Sequence, residues 1–217
     1  MKKAFNIVLV INLLTIAAAI SLDVFGINEP FKEGGFITFF SAIQLLIVSR
    51  LSYNIYRERE SSTHISFWQK PNLIWLLISM GFLFLAFDES LKIHERIDRL
   101  IHYVFNIQET GLTDRIDDLL VGLYGLIGLV VLFVYRNEMK ACKAQFSLFV
   151  IGFVFLFVMV GLDVMTNRKD IVLFFFEENM AAVLHRWLSF AEDAMKLLSE
   201  AFFILGFYSI FIHVKRQ

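Results

Sequence analysis

FLAFDESLKIHERIDRL, Phe84 to Leu100, changes character at one point. It begins as apolar helix and at Asp88 becomes a run of carboxylates, bases and a histidine. Lipid does not accept such groups unpaired, so the segment carries Asp88, Glu89, His94 and Glu95 to a membrane surface or into a polar pocket between helices. Beyond Asp88, Ile93, Ile97, Leu100, Ile101 and Val104 keep helical spacing. This predicts that Ser90 to Phe105 continues the third helix and lies at the outer interface.

The rest of the chain fits that setting. Its 217 residues are 58% hydrophobic, with 25 Phe and only 2 Pro, and the mean hydropathy is +0.66. A soluble domain of this size does not carry so much apolar surface, so the sequence reads as a membrane protein. No basic tract suited to nucleic acid is present, and the single cysteine, Cys142, excludes an internal disulfide and a cysteine-rich metal site. Lys2 and Lys3 followed by an apolar run resemble a signal peptide. The run is the length of a full span, however, and Ser21-Leu22-Asp23 is a poor cleavage site, so we read a retained first helix.

Apolar segments run from Ala4 to Phe25, Phe36 to Tyr56, Asn72 to Phe87, Leu119 to Tyr135, Phe146 to Leu162 and Leu197 to Ile212. The predicted fold is all-α: one polytopic membrane domain over residues 1–217, about six transmembrane helices, with an outer-side interfacial helix. Lys2, Lys3, Arg50, Arg57, Arg59, Lys70, Arg136, Lys140, Lys143, Lys215 and Arg216 fall on one side if the helices alternate. That bias makes this side the cytoplasm, with both termini inside, although Lys92, Arg96, Arg99, Arg115, Arg168 and Lys169 fall on the other. Asp170 to Trp187, with Phe174, Phe175 and Phe176 before Glu177 and Glu178, reads as an interfacial or re-entrant piece. Gly111 breaks the chain before the fourth helix, which Thr113 or Asp114 can cap. Gly122, Gly125 and Gly128 on that helix suit close packing within the chain or a contact between two copies.

Asp23, Asp88 with Glu89, Asp117 with Asp118, Asp163, and Glu192 with Asp193 all arrive near the outer boundary. The last helix adds Glu192, Lys196 and Glu200 at four-residue spacing, on one face, with Ser199 beside them. Glu200 lies about 18 Å from Ile212 at the usual helical rise, well inside the bilayer. An unpaired carboxylate there costs on the order of 3 kcal/mol on insertion scales, so Lys196 and Glu200 are expected to form an intramembrane polar pair. The alternatives for this pair are a structural brace and a functional site.

The candidate metal ligands are Asp88, His94, Glu95, Asp163 and Glu192. Mostly oxygen donors with one imidazole suit a divalent cation such as Ca, Mg or Mn, the candidate cofactor, and His185 would admit Zn or Fe. The competing reading is of ion pairs along one helix, Asp88 with Lys92 and Glu95 with Arg99. HERID is not HExxH, no Glu-x-x-His pair of the di-iron kind occurs, and there is neither a GxSxG elbow nor a phosphate-cradling glycine loop. Ser90 and His94 match the Ser-x-x-x-His element of the six-helix membrane hydrolases related to alkaline ceramidases and progestin-type receptors. The last helix lacks their His-x-x-x-His, and that activity is not carried over.

FLAFDESLKIHE, Gly161-Leu162-Asp163, and Glu192-Asp193 leading to Glu200 resemble a group of uncharacterised bacterial multi-pass membrane proteins. Their pattern is FLxxDExxxxHE, then Gly-Leu-Glu, then a Glu-Glu-x-x-Glu helix. The likeness covers the C-terminal two thirds, with Asp163 and Asp193 in place of Glu and Lys196 as an added base. It implies a six-helix fold in a bacterial inner membrane and supplies no activity.

The expected function is therefore an outward-facing carboxylate and histidine cluster that binds a cation or polar ligand. One alternative is a membrane anchor or envelope-sensing subunit, of a stress or phage-defence kind, docking a cytosolic partner through Arg57 to Lys70 and Arg136 to Lys143. Another is an ion channel or transporter lined by Lys196 and Glu200, against which stands the scarcity of mid-span polar groups beyond Asn12 and Gln44.

Overall fold

The structure, a computed structural model, describes residues 1–27, 30–31, 34–59, 70–106, 116–166 and 177–216. All regular elements among them are helical. They are α1 (Lys2–Val24), α2 (Phe36–Glu58), α3 (Leu73–Leu91), α4 (Ile93–Phe105), α5 (Ile116–Val134), the short α6 (Arg136–Ala141), α7 (Phe146–Thr166) and α8 (Glu178–Lys215), with one 3-10 turn at Lys143–Gln145. Five segments are long and apolar enough to cross a membrane: α1, α2, α3, Lys143–Asp163 and α8. Gly122–Val134, within α5, is apolar but shorter. This is the make-up of a multi-pass membrane protein.

α8 is the axis of the bundle. Its 38 residues span about 57 Å at the usual rise, nearly twice a bilayer's hydrocarbon thickness. α1, α2 and α7 pack along it, and α3 packs on α2 and touches α8 through aromatic rings. Pairings along its length fix the directions of its neighbours. α1 runs antiparallel to α8, with Phe5 near Phe202 and Asp23 bonded to Arg186 by Nε at 2.9 Å. α7 is also antiparallel, placing Phe149 near Phe207 and Thr166 at Glu192. α3 runs the same way as α7, from Trp75 near Phe207 to Glu89 at Lys196. Both termini therefore lie at one end of the bundle, and the acidic helix ends gather at the opposite one.

Inside the bundle, packing rather than water exclusion holds helices together, because lipid is as apolar as the side chains. Phe149 of α7 seats on Gly206 of α8, and Phe203 of α8 seats on Gly152 of α7. A Cβ at Gly206 would sit 2.8 Å from the Phe149 ring, and one at Gly152 would sit 2.9 Å from the Phe203 ring. Phe82, Phe153, Phe203 and Phe207 complete an edge-to-face cluster around this contact. Gly122, Gly125 and Gly128, by contrast, have nothing within 4 Å of where a Cβ would be. Close packing within the chain thus falls on two isolated glycines and not on the regular triplet.

At the terminal end, Glu138 on α6 accepts bonds from the Arg59 guanidinium and from Trp75 Nε1, the latter at 3.2 Å. Trp75 is wholly buried, so this tie fastens the α5–α7 connection to α2 and α3.

At the opposite end, two sequence expectations need correction. The third helix does not continue through Ser90 to Phe105: it stops at Lys92, whose φ of 53° is left-handed, and α4 starts afresh. The cause is Asp88, whose Oδ1 accepts the His94 backbone N–H at 2.8 Å and so captures the first turn of α4. α4 is amphipathic and leaves Leu100, Tyr103, Val104 and Phe105 exposed beside Arg96 and Arg99. Nor is the stretch from Glu178 to Trp187 a separate interfacial piece, since it is the continuous start of α8. Residues 170–176, with the three phenylalanines, and the expected cap at Gly111, Thr113 and Asp114 lie outside the described residues, as do the side chains of Asp117 and Asp118.

Candidate functional site

Four-residue steps along α8 bring Glu192, Lys196 and Glu200 onto one face, each about 6 Å further into the bundle than the last. Each meets a different neighbour. At the first level Thr166, the last residue of α7, donates from Oγ1 to Glu192 Oε2 at 2.7 Å, and Asp163 and Asp193 lie within electrostatic reach of the same carboxylate. His185, two turns before Glu192 on α8, donates from Nε2 to the Thr166 carbonyl at 3.0 Å. That bond commits the nitrogen to a proton and removes it from metal ligation.

At the second level Lys196 bonds Glu89 of α3. The sequence reading paired Lys196 with Glu200, and the direct partner is instead Glu89. Glu200 and Asp193 remain near enough to act on the Lys196 charge. At the third level Glu200 is 6% exposed, and its hydrogen-bond partners among the described residues are neutral. Ser41 donates to its Oε1 at 2.6 Å, and Gln44 Nε2 lies 3.4 Å from its Oε2. Gln44 in turn forms a two-bond amide pair with Asn12 of α1, at 3.0 and 3.3 Å.

The face therefore deepens from half-buried Glu192 and Asp193 to fully enclosed Glu200. Four carboxyl groups, those of Glu89, Glu192, Asp193 and Glu200, face one ammonium among the described residues, that of Lys196. In a region of low dielectric such an excess is relieved by a bound cation or by protons.

A second grouping sits at the α3–α4 break. Asp88, 5% exposed, spends Oδ1 on the His94 backbone and Oδ2 on His94 Nδ1, at 2.8 Å each. A carboxylate only accepts, so Nδ1 carries a proton in this bond. Glu95 turns aside to Lys92, 3.5 Å away.

The expected metal ligands are thus divided. Asp88 meets His94, Asp163 neighbours Glu192, and Glu95 stands with neither pair. Among the described residues, no three His, Cys, Asp or Glu side chains converge in a way that could hold a metal ion. Thr166, Ser41 and the Asn12–Gln44 pair are members that the sequence reading did not place at the site, whereas Glu89 was read at this level without its partner. Only Asn12 and Gln44 carried a signal, as polar residues in otherwise apolar mid-spans.

No curated protein and no solved structure matches the chain. The profile of one family, described as Domain of unknown function (DUF8692), matches residues 4–211, and the chain belongs to that family.

Proposed function

We propose that this chain is a multi-pass protein of a bacterial inner membrane, with six spans and both termini in the cytoplasm, that binds a cation at its outward-facing end. The binding level is the one formed by Glu89, Glu192 and Asp193 around Lys196. The observation that supports this reading is the excess of carboxylates over ammonium at a place where side chains are only half-buried and open toward the end opposite the termini. Lys196 offsets Glu89, which leaves Glu192 and Asp193 to attract a soluble cation. Thr166 and the neighbouring Asp163 add further oxygen atoms, and because no three acidic side chains converge there among the described residues, the ion is held through its water shell, as Mg commonly is. Asp88 and His94 serve this site indirectly by fixing where α3 ends and hence where Glu89 stands.

The test is equilibrium dialysis of the detergent-purified full chain against Ca, Mg or Mn, followed by elemental analysis. We expect about one divalent ion per chain, lost in the Glu192→Gln/Asp193→Asn double variant. Well-folded protein that retains no divalent ion at millimolar concentration would refute the proposal.

A further inference from the structure

The enclosed end of the α8 face offers a second, chemically different site. Asn12, Ser41, Gln44 and Glu200 are each more than nine-tenths buried and come from three helices, α1, α2 and α8. Glu200 has no cationic side chain in contact, because Lys196 spends its direct bond on Glu89. Lys196 acts on this carboxylate only from a distance, and the direct partners of Glu200, Ser41 and Gln44, are neutral, so the place of a direct counter-charge is open. We propose that Asn12, Ser41, Gln44, Glu200 and the Leu197 carbonyl form a buried site for a dehydrated monovalent cation of the size of Na+.

The oxygens are gathered for such an ion. Gln44 Nε2 points into the gap between Glu200 Oε2, at 3.4 Å, and the Leu197 carbonyl oxygen, at 3.5 Å. Both are long for hydrogen bonds, so this amide edge is loosely held there. The amides of Gln44 and Asn12 are bonded to each other by two mutual bonds, and turning both together preserves that pairing. The turn replaces the 2.9 Å bond from Asn12 Nδ2 to the Val8 carbonyl by an oxygen–oxygen contact, a cost that the ion must offset, and brings Gln44 Oε1, in place of Nε2, to the same gap. An ion there meets Gln44 Oε1, the Leu197 carbonyl and Glu200, with Ser41 Oγ on the other carboxylate oxygen. Leu197 lies within the unbroken α8, so its carbonyl serves as a secondary oxygen beside the Glu200 carboxylate and the Gln44 amide. A single carboxylate balances one positive charge, and a divalent ion would leave one uncompensated. A proton alone needs one acceptor and gives the Asn12–Gln44 pair no role.

This site lies two helical turns deeper than the outward one, and its test separates the two. 22Na+ binding to the detergent-purified full chain is measured in choline chloride, with unlabelled Na+ and additional choline as competitors. We expect saturable binding of one Na+ per chain, displaced by Na+ and not by choline. Glu200→Gln should abolish it, and Ser41→Ala should weaken it about tenfold. Should Glu200→Gln not give a monodisperse protein, Ser41→Ala carries the comparison. Absence of saturable binding, or binding unchanged in both variants, would overturn the proposal. Na+ binding that survives both but is lost in Glu192→Gln/Asp193→Asn would place the ion at the outward level, overturning this site while leaving the outward one standing. Saturable Na+ binding lost in Glu200→Gln, in a natural chain that retains no divalent ion, has the opposite meaning: it overturns the outward site and leaves this one standing.

Discussion

Gly206→Val should release α7 from α8 and lower stability by about 3 kcal/mol, at the upper end of what overpacking costs. The ring of Phe149 already lies 2.8 Å from where a Cβ at Gly206 would stand, and it has little room to retreat. Its own centroid is 5.0 Å from Phe207 and 6.4 Å from Phe203, so moving it disturbs the whole aromatic cluster. Helix association in lipid depends on such close fit, and no gain in apolar burial compensates for its loss. Thermal unfolding in detergent, followed by size-exclusion chromatography, reads the effect. Gly125→Val is the matched control and should melt like the natural chain, because its surroundings are open. Equal melting temperatures for the two variants would show that the seating of Phe149 on Gly206 is not a tight contact.

The second large effect is at the α3–α8 bridge. Lys196→Met leaves Glu89 without its cation and removes the positive charge that faces Asp193 and Glu200. Breaking a buried ion pair on one side costs about 3–5 kcal/mol. The side chains here retain 25% and 20% exposure, so we expect about 2 kcal/mol after discounting for solvent. Adding Glu89→Gln to Lys196→Met should recover part of that loss, because the stranded carboxylate is then neutral. Recovery remains incomplete, since Asp193 and Glu200 still lack their neighbour. Chemical or thermal unfolding of the two single variants and the double variant closes the cycle. Additive losses would mean that Lys196 and Glu89 do not act on one another.

Much of this architecture was legible in the chain. Apolar runs located α1, α2, α3, α5, α7 and the core of α8, because a membrane segment needs length and apolarity and both are written locally. The four-residue spacing of Glu192, Lys196 and Glu200 correctly put them on one face, since helical period needs no tertiary information. What that spacing cannot give is the neighbour. Lys196 bonds Glu89, which lies 107 residues earlier, and not the carboxylate one turn away. Helix packing decides that choice, and periodicity is silent about it.

The misreading of the third helix has a local cause. Ile97, Leu100, Ile101 and Val104 keep a helical rhythm straight through the break at Lys92, and no Gly or Pro marks it. The break is instead made by a side chain, Asp88, reaching the His94 backbone across the turn. The repeated glycines of α5 drew attention by their regularity, whereas the working notches at Gly152 and Gly206 stand alone in the sequence. Each becomes visible only through the phenylalanine that fills it.

The central claim is that the half-buried acidic face of α8 opens to water on the outer side. Single cysteines at Glu192 and Asp193, and at Val154 as an apolar-surface control on α7, test it in whole cells with a membrane-impermeant thiol reagent. The native Cys142 is buried, and burial pushes its thiol up, so it reacts poorly; Cys142→Ala removes it from the background. The account predicts that the cysteines at 192 and 193 are labelled from outside while the one at 154 is not, because a thiol facing lipid does not ionise. Labelling of 192 and 193 only in inverted vesicles, or not at all, would contradict it.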